Sequence, residues 1–306
     1  LGLSINKKIG QLDYYKIRNS QTELTPEELE YCEYDCLVLY EAIKKHKNEY
    51  GNVYKIPLTQ TGKLRGEVKK IYKGDMGYYK RISNMLPTTF DEFNILCLAY
   101  SGGYTHANAL YTRDVLSNVY SQDITSSYPT VMISELFPMS KFVKTNVTDI
   151  EQISPKNAYV IAITFHHLQS KISNTYLSKS KALYLYNGVE DNGRLVLADV
   201  ARFVLTDVDL QIVRQAYNFD YEINNVVMSY KERLDTKFVA YTLQLYANKT
   251  MFKNVPEKDD LYLQSKQYIN AMYGMCVTNT IRDEVTFNGD WGVMPLTLQD
   301  AEHRLV

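Results

Sequence analysis

Apolar residues recur at helical spacing early in the chain, after a clear helix start. Thr25 can cap a helix, a proline suits its first position, and Glu28 is placed to complete a capping box. The apolar positions that follow at three- and four-residue steps are Leu29, Cys32, Cys36, Leu39 and Ile43. This pattern predicts a helix to about Lys47, with Tyr31 and Asp35 together on a neighbouring face.

Between about residues 138 and 231, short runs of alternating apolar and polar residues replace the helical spacing. Such alternation is typical of half-buried strands. The predicted strands are residues 158–165, 182–186, 202–205 and 221–228, with a helix over 207–218. Further helices are predicted over residues 66–73, 90–98, 237–249 and 261–273, the last two around a lysine-rich turn that contains a proline. Helical and β-rich blocks together predict an α+β fold.

Composition narrows the classes of function only a little. The chain has 306 residues, 45% hydrophobic and 23% charged, so it can bury a sizeable core, and its length suggests two domains. No apolar run approaches the roughly 20 residues that span a bilayer, and no signal-peptide pattern is present, so no membrane partner is expected. The four cysteines lack C-x-x-C spacing, which favours a reduced, cytosolic compartment. Because the chain begins at Leu1, we expect its natural N-terminus to lie upstream.

Charge is unevenly distributed although the net charge is only −1. Residues 44–81 contain eleven Lys or Arg but three acids, with tyrosines interleaved at positions 50, 54, 72, 78 and 79. A solvated surface is the plain interpretation of such a stretch. The alternative is contact with nucleic-acid phosphates, with some base stacking on the tyrosines.

The first string with candidate chemistry is residues 123–129, D-I-T-S-S-Y-P. Its carboxylate lies at the end of an apolar stretch over 115–124, which we predict to be a strand that ends at Asp123, with Pro129 to stop the strand and fix the turn. Hydroxyl groups and the ring of Tyr128 come just beyond this carboxylate. An Asp that caps a turn is the plain interpretation of the string by itself.

The second string is residues 266–274, K-Q-Y-I-N-A-M-Y-G. At about 100° per residue, Lys266, Asn270 and Tyr273 share a narrow arc of one helix with Gly274. A helix face of this kind is usually just solvated. Together the two strings supply a metal ligand, an aromatic ring on which a sugar can stack and a cation that can bind phosphate. These are the groups needed to hold a deoxynucleoside triphosphate.

In these strings the chain resembles the B-type DNA polymerases, specifically the viral and linear-plasmid branch that primes from a terminal protein. Residues 123–129 resemble polymerase motif A of that family, D-x-x-S-x-Y-P, and residues 266–274 resemble its motif B, K-x-x-x-N-x-x-Y-G. Residues 100–103 resemble the Y-x-G-G element between the exonuclease and polymerase domains, and residues 31–35 resemble the Y-x-x-x-D exonuclease motif. The four matches follow the family order and cover most of the chain.

The resemblance implies the end of an RNase H-like 3′–5′ exonuclease domain, then a palm with an insertion, and helical-hairpin fingers. In order, the implied parts are the exonuclease end (1–55), the linker and first part of the palm (56–135), the insertion of the protein-primed branch (136–235), the fingers (236–277), and a second insertion with the return to the palm (278–306). RNA-primed polymerases of the same superfamily are the first alternative. They lack the first insertion, so the β-rich block favours the protein-primed branch.

By the same resemblance, Asp123 is catalytic and binds metal together with the backbone carbonyl of Ile124. The cofactor implied is Mg²⁺, two ions in the complete polymerase site, with Mn²⁺ as the alternative. Ser126 and Ser127 are implied to bind the triphosphate. Tyr128 is implied to lie beneath the deoxyribose, where it would collide with a 2′-hydroxyl.

The helix string supplies the remaining nucleotide contacts that the resemblance implies. Lys266 binds the triphosphate, Asn270 belongs to the nucleotide site, and Tyr273 packs beside the templating pair. The implied DNA-binding positions are Tyr100, Gly102, Gly103 and Gly274. Spacing does not select which of the nearby lysines contact phosphate: Lys249, Lys253 or Lys258.

On the exonuclease side, the resemblance implies that Asp35 ligates metal and that Tyr31 positions water. A surface helix face is the plain alternative for this pair. Lys8 resembles a catalytic lysine of the branch, one residue out of register. Neither His166–His167 nor Asp207–Asp209 has a spaced third ligand, so we expect a strand at the first and a helix start at the second.

Some family motifs have no match in the sequence. The D-T-D motif that supplies the second polymerase carboxylate does not follow residue 274, and the first two exonuclease motifs are not found either. We therefore expect a fragment of a larger polymerase that does not extend a primer by itself. A non-catalytic module that binds DNA or the terminal protein, from a split or decayed polymerase, is the second alternative.

The resemblance also implies partners and a location. Primer–template DNA, dNTPs and a terminal protein are the expected partners of a polymerase that works as a monomer. Its place would be the cytoplasm of a bacterial host if phage-encoded, or the mitochondrion if carried by a linear plasmid.

Overall fold

The computed structural model describes most of the chain: residues 3–5, 15, 17–105, 111 and 113–277, with two further strands near the C-terminus. The chain divides into two compact units. The first comprises Leu1–Ile71 and Ala240–Cys276, and the second comprises Tyr72–Val239 and Val277–Val306. The predicted Lys8 lies outside the described residues.

Helices and an antiparallel sheet make up the described residues, which confirms the α+β class. The helices are α1 Pro26–Tyr50, α2 Gln60–Ile71, α3 Met76–Met85, α4 Phe90–Ala99, α5 Ser127–Ser134, α6 Asp207–Ala216, α7 Thr236–Phe252 and α8 Asp259–Cys276. The strands are β1 Phe137–Pro138, β2 Val143–Lys144, β3 Asn157–Ser170, β4 Tyr184–Tyr186, β5 Val189–Asp191, β6 Arg194–Thr206, β7 Tyr217–Glu232, β8 Glu284–Phe287 and β9 Trp291–Met294.

In the first unit, α1 begins as the sequence predicts. The Glu28 amide donates to Thr25 Oγ1 at 3.2 Å, and the Thr25 amide donates to Glu28 Oε2 at 3.0 Å, which completes the capping box. The apolar stripe of this helix is largely exposed; Leu29 and Leu39 are 55% and 61% accessible. Local capping therefore accounts for where this helix starts.

Helix α2 starts at Gln60, earlier than predicted, and packs against α8. Leu64 and Val68 are its buried residues, while Ile269 and Met272 are buried on α8. The buried residues of each helix are three or four apart, as a packed helix face requires.

In the second unit, β3 lies at the centre of the sheet between β7 and β6, in the order β1-β7-β3-β6-β4. Val160 of β3 is opposite Thr206 on one side and Val227 on the other, and all pairings are antiparallel. The hairpin from β5 to β6 turns at Asn192 and Gly193, which both have positive φ (48° and 73°), as type I′ turns require.

Both faces of this sheet are covered. One face contributes Ile161, Ile163 and Phe165 to a core shared with α6. On the other face, Val160 packs with Ala99 at the end of α4. Burial on both sides explains the nearly continuous apolar run of β3, and it attaches the helix that leads into the Y-x-G-G segment to the predicted insertion.

Two local predictions were wrong. Residues 115–124 do not form a strand, because their backbone pairs with no strand among the described residues and their side chains are open to solvent (Val115 100%, Ile124 74%). A strand needs a partner for its N–H and C=O groups. Pro129, expected to end that strand, instead lies in the first turn of α5, where a missing N–H costs little.

Candidate nucleotide and DNA interface

The carboxylate of the first string lies in exposed coil just before α5. Asp123 and Ile124 are both solvent-accessible, and the helix begins four residues after Asp123. Between them, Ser126 adopts the left-handed conformation (φ 50°, ψ 47°), which is unfavourable for a residue other than glycine. Its carbonyl accepts from both the amide and the hydroxyl of Thr130, each at 3.0 Å. These bonds offset the local strain and fix the entry into the helix.

Helix α5 holds its apolar side inward and its functional side outward. Pro129 and Met132 are buried, whereas the Tyr128 side chain is 52% exposed. The N-terminus of a helix carries unsatisfied N–H groups and a partial positive charge, both of which favour an anion. A carboxylate, a helix N-terminus and an accessible aromatic ring are therefore close together along the chain.

The Y-x-G-G segment lies against the motif A tyrosine. Tyr100 caps α4 at its C-terminus, and the chain then passes through Gly102 and Gly103 in an exposed coil. A β-carbon placed on Gly103 would be 3.7 Å from Tyr128 Oη, an ordinary contact distance. The structure thus brings together two elements that the sequence placed 25 residues apart.

Residues that the sequence analysis missed hold this segment. Lys181 Nζ donates to the Tyr100 carbonyl at 2.7 Å, and Arg194 Nη2 donates to the Thr105 carbonyl at 3.4 Å. Both cations belong to the predicted insertion. No spacing pattern pointed to them, since the contacts join parts of the chain more than 80 residues apart.

The second string lies on α8 with its polar face outward. Lys266 and Asn270 are exposed, and Tyr273 and Gly274 are half-buried. The residues of the opposite, buried face are Ser265, Tyr268, Ile269 and Met272. The predicted helix face is therefore correct. Helix α8 belongs to the first compact unit, and Asp123 and Tyr128 belong to the second.

On the buried face of α8, the phenol of Tyr268 is enclosed without a hydrogen-bond partner among the described residues. Burial, followed by the charges of Glu67 and Glu49, raises the pKa of Tyr268 to about 12. The ring packs the helix against its neighbours and stays neutral at physiological pH.

The candidate exonuclease pair lies on α1. Tyr31 and Asp35 are four residues apart on that helix and both are half-buried. They keep the shared face that the spacing predicts.

The basic stretch, whose residues 44–71 lie in the first unit and 72–81 in the second, is partly neutralised by acidic neighbours. In the first unit Lys63 pairs with Glu49 at 3.8 Å and Lys70 with Glu67 at 2.9 Å. Tyr72 does not present its ring for base stacking, because it is only 2% exposed. Its hydroxyl donates to a carboxylate, and burial raises its pKa well above the usual range.

The model of the family described as DNA polymerase type B, organellar and viral, matches residues 4–300. The chain belongs to this family. The match confirms the relationship to the viral and organellar polymerases that the motifs predicted.

Individual relatives of this polymerase family are distant but cover nearly all of the chain. It is 24% identical over 274 residues to a probable DNA polymerase of Ascobolus immersus, and 22% identical over 299 residues to the DNA polymerase of Bacillus phage phi29. The alignments take in 88% and 96% of this chain, but 21% and 48% of those polymerases. The chain therefore spans about a fifth and about half of their respective lengths.

Solved structures show the same fold. The phi29 DNA polymerase complexed with single-stranded DNA has a TM-score of 0.62 at 19% identity, covering 95% of this chain and 48% of that one. Its ternary complex with primer–template DNA and incoming nucleotide has a TM-score of 0.55 at 20% identity, covering 93% and 47%. At such identities the likeness establishes the fold of this chain and no more.

The donor groups near motif A have the chemistry of ligands for a hard divalent metal ion. Mg²⁺ prefers oxygen ligands, retains several waters and so needs few protein groups. Asp123 and the Ile124 carbonyl offer such oxygens in exposed coil. Among the described residues, no cluster of three or more His, Cys, Asp or Glu side chains has a metal-binding arrangement. The available donors thus fit part of a ligand set.

The two rejected metal candidates of the polymerase chain have structural roles. His166–His167 lies within β3, and Asp207–Asp209 begins α6, as predicted. Buried Asp207 accepts from the Tyr159 amide at 3.1 Å and from Lys231 Nζ at 2.6 Å.

Over the part of the chain that is described, no helix combines the length and apolar character needed to cross a bilayer.

Proposed function

We propose that this chain is the part of a protein-primed type B DNA polymerase that holds the primer–template and the incoming dNTP. The observation that carries the proposal is the surface formed by Asp123, α5 and Gly103, in which the ring of Tyr128 is accessible and lies against the Y-x-G-G segment. Membership of the polymerase family supports it.

In the proposed reaction a primer 3′-hydroxyl gives its proton to solvent water, and its oxygen forms a bond to the α-phosphorus of a dNTP. The bond to the bridging oxygen breaks, and pyrophosphate leaves with the electron pair. Mg²⁺, held by Asp123 and the Ile124 carbonyl, would offset the triphosphate charge and favour the ionised primer hydroxyl. Ser126 and Ser127, at the N-terminus of α5, face the anionic triphosphate.

Tyr128 and the outward face of α8 have the remaining roles, which are selection of the sugar and contact with the nucleotide and the template. Tyr128 supports the deoxyribose and excludes a 2′-hydroxyl by shape. Lys266 pairs with the triphosphate as a mobile point charge, while Asn270 and Tyr273 bind beside it. The DNA backbone approaches the positions without bulky side chains: Gly102, Gly103 and Gly274.

The proposal extends to the parts that the family resemblance implies. Tyr31 and Asp35 belong to an associated 3′–5′ exonuclease, and the β-rich insertion contacts a terminal protein that provides the first primer hydroxyl. The polymerase is monomeric. It replicates a linear genome in a bacterial cytoplasm if phage-encoded, or in a mitochondrion if carried by a plasmid.

Binding is the appropriate test, because the motifs identify a single polymerase-side carboxylate in these residues. A fluorescent primer–template is titrated with the chain in Mg²⁺, with the next complementary dNTP or the matching NTP present. We expect the dNTP to strengthen DNA binding more than the NTP. Tyr128→Val should remove this difference between dNTP and NTP. Asp123→Asn should make the effect of dNTP on DNA binding independent of Mg²⁺. Tyr120→Val, which alters a 91% exposed tyrosine outside motif A, is the matched control.

The outcomes separate the candidate functions. DNA binding that is indifferent to dNTP would contradict the nucleotide site and support a non-catalytic binding module. Loss of dNTP selection in the Tyr120 control as well would show that the effect does not come from motif A.

A further inference from the structure

Residues 100–105, a segment that contains the Y-x-G-G element at 100–103, are held at both ends through backbone carbonyls. Lys181 Nζ donates to the Tyr100 carbonyl at 2.7 Å, and Arg194 Nη2 donates to the Thr105 carbonyl at 3.4 Å. Charged donors make stronger hydrogen bonds than neutral ones. We call these two cations the carbonyl clamp. It determines where residues 100 and 105 lie whatever their side chains are.

The second end of the segment is also held through a ring. The Tyr104 ring stacks on Tyr176, with centroids 6.1 Å apart and planes 14° apart, and the Arg194 guanidinium lies 4.8 Å from its centre. Arg194 Nη1 donates to the Tyr176 carbonyl at 2.8 Å. The planar guanidinium of Arg194 therefore contacts the Thr105 carbonyl and the Tyr104 ring of the segment, together with the Tyr176 carbonyl of the insertion. A lysine could not make all three contacts.

The residues of the insertion that make these contacts are themselves held by hydrogen bonds and by the sheet. Tyr176 Oη donates to Asp209 Oδ1 at 2.5 Å, and Asp209 is part of the capping box that starts α6. Arg194 is the first residue of β6, directly after the Asn192–Gly193 turn. Arg194 is thus part of the sheet, and its partner Tyr176 is bonded to the start of α6.

Between the two held ends lie the residues that reach the candidate site. Gly102 and Gly103 have no side chains to fix them, and Gly103 lies against the phenol of Tyr128. A shift of the segment would therefore change the support behind the Tyr128 ring. Glycine makes such shifts easy unless both ends are fixed.

We propose that Lys181 and Arg194 are positioning residues for sugar selection: they hold Gly103 against Tyr128, and so the insertion sets how strictly ribonucleotides are excluded. The inference rests on the proposed function for the role of Tyr128. It assigns the insertion a part in nucleotide choice that is separate from contact with a terminal protein.

The main test is Lys181→Met, which keeps most of the side-chain length and removes the donor. Lys179→Met is the matched control, because Lys179 lies in the same short 3₁₀ turn but pairs with Glu190 at 3.2 Å instead. Hydrogen exchange of residues 99–105 and the ratio of the NTP to the dNTP dissociation constant on primer–template are measured in both. We expect Lys181→Met to speed exchange and lower the ratio by roughly three- to tenfold, since one exposed, charge-assisted bond is lost. Lys179→Met should change neither.

Arg194→Lys provides a second measurement, since it keeps the charge and loses the fork; it should act in the same direction as Lys181→Met. Faster exchange with an unchanged ratio, or equal effects of the two lysine variants, would overturn the positioning role. A lowered melting temperature with both dissociation constants raised in proportion would also overturn it, because that is the result of a purely structural contact. If the unaltered chain itself fails to prefer dNTP, the proposed function fails instead, and the exchange data still report whether the clamp exists.

Discussion

Tyr217 offers a sharp test of how the β-rich region is held together, because one buried phenol bonds to three backbone groups. Its side chain is 2% exposed, and its Oη accepts from the amides of Tyr176 and Leu177 at 3.0 and 3.1 Å. The same oxygen donates to the Leu195 carbonyl at 2.8 Å. Tyr217→Phe would leave two amides and one carbonyl without this partner.

The magnitude follows from that count. A buried polar group that loses its partner costs about 1–3 kcal/mol, and the backbone can relax toward water or other acceptors at part of that cost. We therefore expect Tyr217→Phe to lower the free energy of unfolding by about 3 kcal/mol. The substitution removes no carbon atoms, so no cavity term of the kind seen in large-to-small changes adds to it.

Tyr268→Phe is the matched control. It deletes the same hydroxyl from another buried ring (7% exposed), but this hydroxyl has no partner in the described part of the chain. Removing an unsatisfied polar atom relieves a desolvation penalty, so this variant should be neutral or more stable by about 1 kcal/mol.

Urea unfolding followed by circular dichroism gives both free energies, and hydrogen exchange of residues 175–177 locates the effect. Equal stability changes in the two variants would refute the reasoning. So would a loss in Tyr217→Phe below about 1 kcal/mol, which is the contribution of a single ordinary hydrogen bond.

Three further predictions concern charge and backbone. The Thr88 amide, and after it Lys141, hold the pKa of Glu92 below its usual 4.5. The contribution of this carboxylate to stability is therefore present above that value and is lost as the pH falls through the lower folded pKa. Glu92→Gln should flatten the acid limb of a melting-temperature profile, and an unchanged profile would contradict this. Gly193→Ala should cost about 1–2 kcal/mol in urea unfolding because φ is +73° and the surrounding space is open, so the strain is purely backbone; a neutral result would mean that the turn relaxes. Ser126→Gly relieves the left-handed strain but adds unfolded-state entropy, so its melting temperature should change little while dNTP binding weakens; a variant that binds dNTP normally would remove the serine from the site.

Local sequence by itself determined much of the helical framework. The capping box at Thr25 and Glu28 is closed within one turn, so it could be recognised without tertiary information. The exposed face of α8 follows equally from the helical repeat, and the short apolar and alternating runs located the strands of the β-rich region, although β3, β6 and β7 extend beyond the predicted runs. The order of the four motifs was enough to predict the polymerase family.

Tertiary structure decided what depends on distant partners. Residues 115–124 have the composition of a strand, yet a strand exists only where another backbone pairs with it, and no described strand does so. Tyr72 lies in a basic stretch of the sequence, but packing within the second unit buries it. Likewise, the Lys181 and Arg194 contacts join segments more than 80 residues apart, and neither spacing nor composition encodes such distances. Periodicity describes how a segment can fold, whereas the groups that meet a candidate site are selected by the packing of the whole unit.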